Sequence, residues 1–255
     1  MKIILLRRKL LAMLACVLAA AAMFYVVNYP EVVSAAATKR QLPIYCVQRD
    51  QKMVAISFDA AWGNEDTQQL IDILGQYQIK ATFFVVGDWV DKYPESVKAL
   101  HDAGHEIMNH SNTHAHYNSL STEEIIADVS ACNDKIEAIT GVRPTLVRLP
   151  YGDYDDNAVR AVRSTGMEPI QWDVDSLDWK EIPAEEIVQR VTGKVQPGSI
   201  VLFNNAALHT PEALPSILET LIQEGYTLVP ISQLILGGEY NTDYTIDHTG
   251  RQCPA

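Results

Sequence analysis

The chain is poor in cysteine. It has four in 255 residues, Cys16, Cys46, Cys132 and Cys253, and no two of them have CxxC spacing. A cysteine-built zinc ribbon or a dithiol redox centre is therefore excluded. Cys46 and Cys253 flank the main part of the chain, and both a disulfide formed outside the cell and a pair of free thiols stay open. Positive charge is also scarce. Lys and Arg number 20 against 32 Asp and Glu, a net −12. Residues 1–40 hold six of those basic residues and one of the acids, which leaves 14 against 31, a net −17, for the remainder. A nucleic-acid partner needs a basic face, so this balance argues against one and is easier to reconcile with a neutral or cationic substrate. No internal repeat and no low-complexity tract stands out beyond the alanine-rich start.

That start is where charge of either sign is missing. After the basic cluster Lys2, Arg7, Arg8 and Lys9, an uncharged stretch runs from Leu10 to Pro30, long enough to cross a bilayer. Its basic flank predicts that the N-terminus stays in the cytoplasm and the rest is exported. Ser34-Ala35-Ala36-Ala37 supplies the small residues a signal peptidase accepts. The segment reads as a retained membrane anchor or a cleaved signal, and the length of the apolar run favours the anchor. Hence residues 1–40 are expected to be a basic stub and apolar helix. A domain follows over 41–236, with its motif core at 52–230, and then a polar tail, 237–255, in which no clear element can be read.

From residue 52 short apolar runs alternate with amphipathic ones. Strands are predicted at Val54–Phe58, Ala81–Val86, Glu106–Met108, Leu146–Leu149, Glu168–Trp172, Ile200–Phe203 and Thr227–Pro230. Helices are predicted at Thr67–Tyr77, Pro94–Ala103, Ser121–Ile139, Asp155–Ser164, Ala184–Val195 and Pro211–Glu224. Ser121-Thr122-Glu123-Glu124 is a capping box, and Gly104, Gly166 and Gly225 each follow a helix. Such alternation means a mostly parallel α/β sheet. A distorted (β/α) barrel of about seven strands fits the count, although an open doubly wound sheet would obey a similar rule. In either architecture the chemistry belongs just after the strands.

Four stretches fall there. SFDAAWG (57–63) offers Asp59 alone at a strand end. MNHSNTHAH (108–116) has His110 and His114 four apart. One turn of helix after the strand would bring both rings to one ion, whereas capping or core histidines are the bland alternative. RLPYGDY (148–154) joins Arg148, able to grip a carboxylate, to a Pro-Tyr-Gly turn whose free N–H groups would suit an oxyanion. DVDSLDW (173–179) is acidic, with Asp178 placed to orient a partner and Trp179 to wall a small apolar pocket.

In this order, and followed by HTPEALP (209–215), the stretches resemble the polysaccharide deacetylases, the NodB homology domain of carbohydrate esterase family 4, over roughly residues 50–235. The apolar start and the SFDAAWG variant look most like the family's sporulation-type branch. The resemblance implies a metal-dependent enzyme removing N-acetyl groups from cell-wall polysaccharide, with an extracytoplasmic domain. It implies His110 and His114 as ligands to a divalent metal, usually zinc. It implies Asp59 as the base, Arg148 as its tether, and the Tyr151 N–H in the oxyanion hole. It also implies Trp179 and Leu202 along the acetyl pocket and Asp178 behind the general acid.

Two positions depart from the pattern. A second acid that would ligate the metal is replaced by Ala60, and a histidine acid two residues after Leu202 is replaced by Asn204, which cannot give up a proton as an imidazolium does. Asp59 itself, water, Glu65 or Asp66 are the substitutes for the missing ligand. His209, on the same loop, is the substitute for the acid. The alternative function is a catalytically weakened glycan-binding protein of wall or spore assembly.

Overall fold

Met53–Ala60, the second strand in the chain (β2), shows how the pleat divides this molecule. Val54, Ile56, Phe58 and Ala60 point to one face and join a core cluster with the helical residues Leu70, Leu74, Leu214 and Leu218. Ala55 lies on the opposite face, in a second cluster with Phe84, Met108, Leu146, Ile170 and Ile200. Successive side chains of a strand alternate between faces. The first cluster is thus the layer between sheet and helices, and the second fills the inside of a curved sheet. Ser57 and Asp59 continue the inner row, so Asp59 ends that row at the C-terminal end of the strand.

The structure is a computed structural model and describes residues 13–25, 40–237 and 244–254. It divides into two units, residues 1–40 and 41–255. In the first unit, residues 13–25 form a helix. Among the described residues no helix is long and apolar enough to cross a membrane. The expected span from Leu10 to Pro30 lies partly outside the described residues.

In the second unit the strands are β1 (Cys46–Val47), β2, β3 (Thr82–Val85), β4 (Glu106–Asn109), β5 (Leu146–Arg148), β6 (Glu168–Ile170), β7 (Val174–Asp175), β8 (Ile200–Asn204), β9 (Thr227–Leu228), β10 (Tyr244–Ile246) and β11 (Arg251–Pro254). The main sheet runs β6-β5-β4-β3-β2-β8-β7, with β9 pairing the start of β2, and every pairing in it is parallel. The two ends of this path do not pair with each other, so the seven strands form a curled, open barrel rather than a closed one. The chain before β2 lies across the opening. Ile44 bridges Ile170 of β6, and Cys46 bridges Ser199 at the foot of β8.

The six predicted helices form, and the capping box at Ser121 and Glu124 is made in both directions. Gly104, Gly166 and Gly225 take φ of 85°, 81° and 84°, as left-handed helix ends require. Sequence pattern missed β7, two residues long, and the short helices Gly87–Lys92 and Ile231–Leu234. The tail also differs from expectation. Its β10 and β11 form a three-stranded sheet with β1, in which Cys46 stands opposite Arg251 and Val47 opposite Gln252. That register leaves Cys253 beyond the end of β1. Cys46 and Cys253 are both free thiols, which removes the disulfide alternative.

Candidate active site

Asp59, His110, His114, Tyr151, Trp179, Leu202 and Asn204 share one cavity of about 450 Å³ at the C-terminal ends of the strands. Ala61, Trp62, Trp172 and Asp175 complete its wall.

Behind Asp59 stands Arg148, fully buried, with Nη1 2.8 Å from Asp59 Oδ1. Nη2 donates to the carbonyl of Gln171, and the guanidinium lies 4.2 Å from the centre of the Phe84 ring. Burial lowers the Arg148 pKa and Asp59 opposes that shift. A guanidinium nonetheless stays charged, so Asp59 is its counter-ion.

Asp59 Oδ2 faces Nε2 of His110 at 3.5 Å. The other ring nitrogen, Nδ1, is 2.8 Å from the Arg148 carbonyl oxygen, which can only accept. Nδ1 therefore carries a proton, and Nε2 is the ring nitrogen on the Asp59 side. The His114 ring lies edge-on to His110, with centroids 5.0 Å apart. Burial, and next the neighbouring His110, lower the His114 pKa to about 4, so this ring is neutral at pH 7.

The two rings meet, but not by a helical turn. Residues 110–116 form a loop in which Ser111 and His114 have φ of 72° and 56°. Side chains pay for that backbone: Asn109 Oδ1 accepts from the Ser111 N–H, and Ser111 Oγ accepts from the His114 N–H. Asn109 is itself held by the Val129 carbonyl and Asn133. His105, at the foot of β4, stays away from the site and accepts from the Ala81 N–H.

Tyr151 sits in the Pro150–Gly152 turn with φ of 60°. Its exposed ring lies between His114, at 4.3 Å, and His116, which stacks on it at 4.1 Å with planes 13° apart.

Asp178 lies outside the cavity wall and is completely buried. Its Oδ2 accepts from the Asn204 N–H at 2.8 Å and from Thr210 Oγ1 at 2.7 Å, and its Oδ1 accepts from Asn204 Nδ2 at 2.7 Å. Burial raises its pKa, while these donors act in the opposite direction. Asn204 thus occupies the place beside Asp59 on the neighbouring strand and is gripped from behind.

His209 is not brought into the cavity. It stands at the N-terminus of the helix Thr210–Gln223, with Nδ1 3.6 Å from Glu212. Glu65 and Asp66 are not on the cavity wall either, and Asp66 Oδ2 accepts from the Ala206 N–H. Ala60 is packed in the outer core cluster. Trp62 and Trp172 were missed as site residues, and Asp175, read only as part of an acidic strand end, was given no role. Trp62 had a signal, a tryptophan two residues past a strand end, and Asp175 another, an acid directly after an apolar residue.

Two imidazoles and a carboxylate oxygen are a donor set that suits a divalent ion such as zinc. Among the described residues no group of three or more His, Cys, Asp or Glu is arranged to hold a metal. The donor types fit such an ion, and His110 and His114, with Asp59 beside them, are the residues that could hold it.

Comparison with known proteins identifies the family. The polysaccharide deacetylase family model matches residues 47–170. The chain is 37% identical over 188 residues to the peptidoglycan-N-acetylmuramic acid deacetylase PdaC of Bacillus subtilis, a match over 74% of this chain and 40% of that protein. It therefore spans well under two thirds of that relative. A peptidoglycan-N-acetylglucosamine deacetylase of Bacillus cereus is 32% identical over 194 residues, 74% of this chain and 91% of that protein. Among solved structures, a CE4 family pseudoenzyme from Bacillus anthracis superposes with a TM-score of 0.74 at 36% identity, over 76% of this chain and 69% of that one.

Proposed function

This chain belongs to the polysaccharide deacetylase family, and from that premise we propose that its cavity removes N-acetyl groups from the amino sugars of bacterial cell-wall glycan. The observation that carries the reading is the Arg148-tethered carboxylate of Asp59, which shares one cavity with two imidazoles. A glycan holder has no evident use for a fully buried cation placed behind a cavity carboxylate.

In this reading Asp59 Oδ2 takes a proton from water as its oxygen bonds to the acetyl carbon. The carbonyl oxygen becomes anionic and turns toward the Tyr151 N–H. The C–N bond then breaks, the nitrogen takes the proton back from Asp59, and the products are a free amine and acetic acid, whose remaining proton passes to the amine or to solvent to leave acetate. Asn204 has no proton to give, so Asp59 serves as base and then acid. A divalent metal, zinc by choice of ligands, held by His110 and His114, would supply Lewis-acid polarisation when bound. Trp179 and Leu202 wall the space for the acetyl methyl group. Peptidoglycan as substrate places the domain outside the cytoplasm.

A second reading, a glycan-binding protein with little turnover, is favoured by one observation. The two oxygens of Asp178 are spent on Asn204 and Thr210, so no titratable group stands where an acid is expected. Acetate release separates the two. The full chain supplied with zinc is expected to release acetate from peptidoglycan or acetylated chito-oligosaccharide, and Asp59→Asn to stop it. Glycan binding without acetate under any divalent metal would establish the second reading.

A further inference from the structure

The way Asn204 is held fixes which end of its amide faces the cavity. Asp178 Oδ1 lies 2.7 Å from Asn204 Nδ2. The other oxygen of Asp178 accepts from the Asn204 N–H and from Thr210 Oγ1. An ionised carboxylate can only accept, so the NH2 of Asn204 must point back at Asp178. A planar amide then turns its carbonyl the other way. Asn204 is on the cavity wall, and among the described residues no protein donor bonds its Oδ1. It also stands opposite Asp59 in the register of β2 and β8, one strand spacing from the reacting carboxylate.

We propose that Asn204 Oδ1 is a specificity-determining acceptor that binds the N–H of the substrate's acetamido group, so that the site selects N-acetyl over O-acetyl sugars. This rests on the reading that an acetylated sugar occupies this cavity. An acetamido group offers one N–H beside its carbonyl, and Oδ1 is placed to take it. An acetyl ester offers only an oxygen there. Two acceptors then face each other, and one is left without a partner in a half-buried site. A site that hydrogen-bonds a donor of its substrate rejects the analogue lacking it, because its own polar group goes unpaired.

The orientation has a built-in control. In Asp178→Asn, the side-chain oxygen is retained where the Asn204 N–H and Thr210 donate. The new NH2 takes the place of the oxygen that now accepts from Asn204. Asn204 must then turn its carbonyl back toward position 178 and present its NH2 to the cavity. The selectivity should weaken or reverse, although position 178 touches no ligand.

The test measures binding, not turnover. Affinities of the full chain for tri-N-acetylchitotriose and for cellotriose carrying 2-O-acetyl groups are measured by ligand-observed NMR with a chelator present, for the wild type, Asn204→Leu and Asp178→Asn. Thermal melts show that each is folded. The wild type is expected to prefer the acetamido sugar by about tenfold, the worth of roughly one hydrogen bond made or left unmade. Asn204→Leu should bring the ratio near one, and Asp178→Asn should lower it to one or below. Equal affinities in the wild type, or a preference unchanged in folded Asp178→Asn, would overturn the proposal. Failure of both sugars to bind would overturn it together with the deacetylase reading. Selective binding without acetate release in the metal-loaded assay would support the acceptor role and overturn only the catalytic one.

Discussion

Arg148 Nη1 and Asp59 Oδ1 are 2.8 Å apart, and the cation of this pair has no access to water. Removing one partner from a buried pair costs about 3–5 kcal/mol, because the other charge is left uncompensated. Asp59→Ala strands the arginine, whose Nε already has no hydrogen-bond partner among the described residues. The variant is expected to melt on the order of 10 °C below the wild type. Arg148→Met frees Asp59 to turn, and acetate release should fall by at least ~100-fold. A melting point within 2 °C or so of wild type for Asp59→Ala would show that the pair does not hold the strand ends together.

Much of this site was legible because its residues follow strands whose alternation is plain. Asp59 ends the inner row of Ala55 and Ser57, and Arg148 ends Leu146–Arg148. What was not legible depends on side chains that support unusual backbone. Spacing alone suggests a helical turn for His110 and His114, whereas the loop relies on Asn109 and Ser111 to hold positive φ. The tail escaped for another reason. Arg251 and Gln252 pair with Cys46 and Val47, some two hundred residues away in the chain, and no local pattern announces so distant a partner. His209 looked well placed by sequence distance, but the helix that begins at Thr210 carries it toward Glu212.

Gly198 makes the closest backbone approach in the region that fills the barrel opening. Its φ is 87°, its N–H donates to the Met53 carbonyl, and its own carbonyl accepts from the Val47 N–H. A Cβ there would lie 1.7 Å from the Val47 carbonyl oxygen. Gly198→Ala must push β1 away from the foot of β8, in a left-handed conformation that also disfavours alanine. A loss of at least ~2 kcal/mol is expected in urea unfolding. Because β11 pairs with β1, amide exchange in residues 244–254 should quicken in the same variant. Unchanged exchange there would mean that the tail is held independently of β1.

His105 gives the fold an acid-sensitive point away from the cavity. Burial, with Lys80 as the lesser cause, lowers its pKa from 6.5 to about 4. The folded state keeps the ring neutral so that Nδ1 can accept from the Ala81 N–H. Between those two values the unfolded chain binds the extra proton, so stability is complete above about pH 6.5 and is lost as the pH falls toward 4. From pH 7 to pH 5 this residue should account for about 2 kcal/mol of the decline. His114 shares the direction and contributes its own part. Urea unfolding of His105→Gln at both pH values should show a decline smaller by that amount. An identical decline would mean that His105 titrates normally in the folded protein.

Metal affinity tests the pairing of His110 and His114 without reference to turnover. Their rings meet at 5.0 Å, and Nδ1 of His110 is tied to the Arg148 carbonyl, which leaves Nε2 as the nitrogen that could ligate an ion. Each ring removed takes away one of only two imidazoles, so His110→Ala and His114→Ala should each lower zinc affinity at least ~10-fold in calorimetric titration. His209→Ala should leave it unchanged, since that ring turns to Glu212 outside the cavity. With two imidazoles and one carboxylate, the wild type should also lose its zinc to a mild chelator more readily than a site with three protein ligands besides the base. The result that would break this account is zinc binding undisturbed by His114→Ala, for then the ion would be held by His110 and a group other than its neighbour.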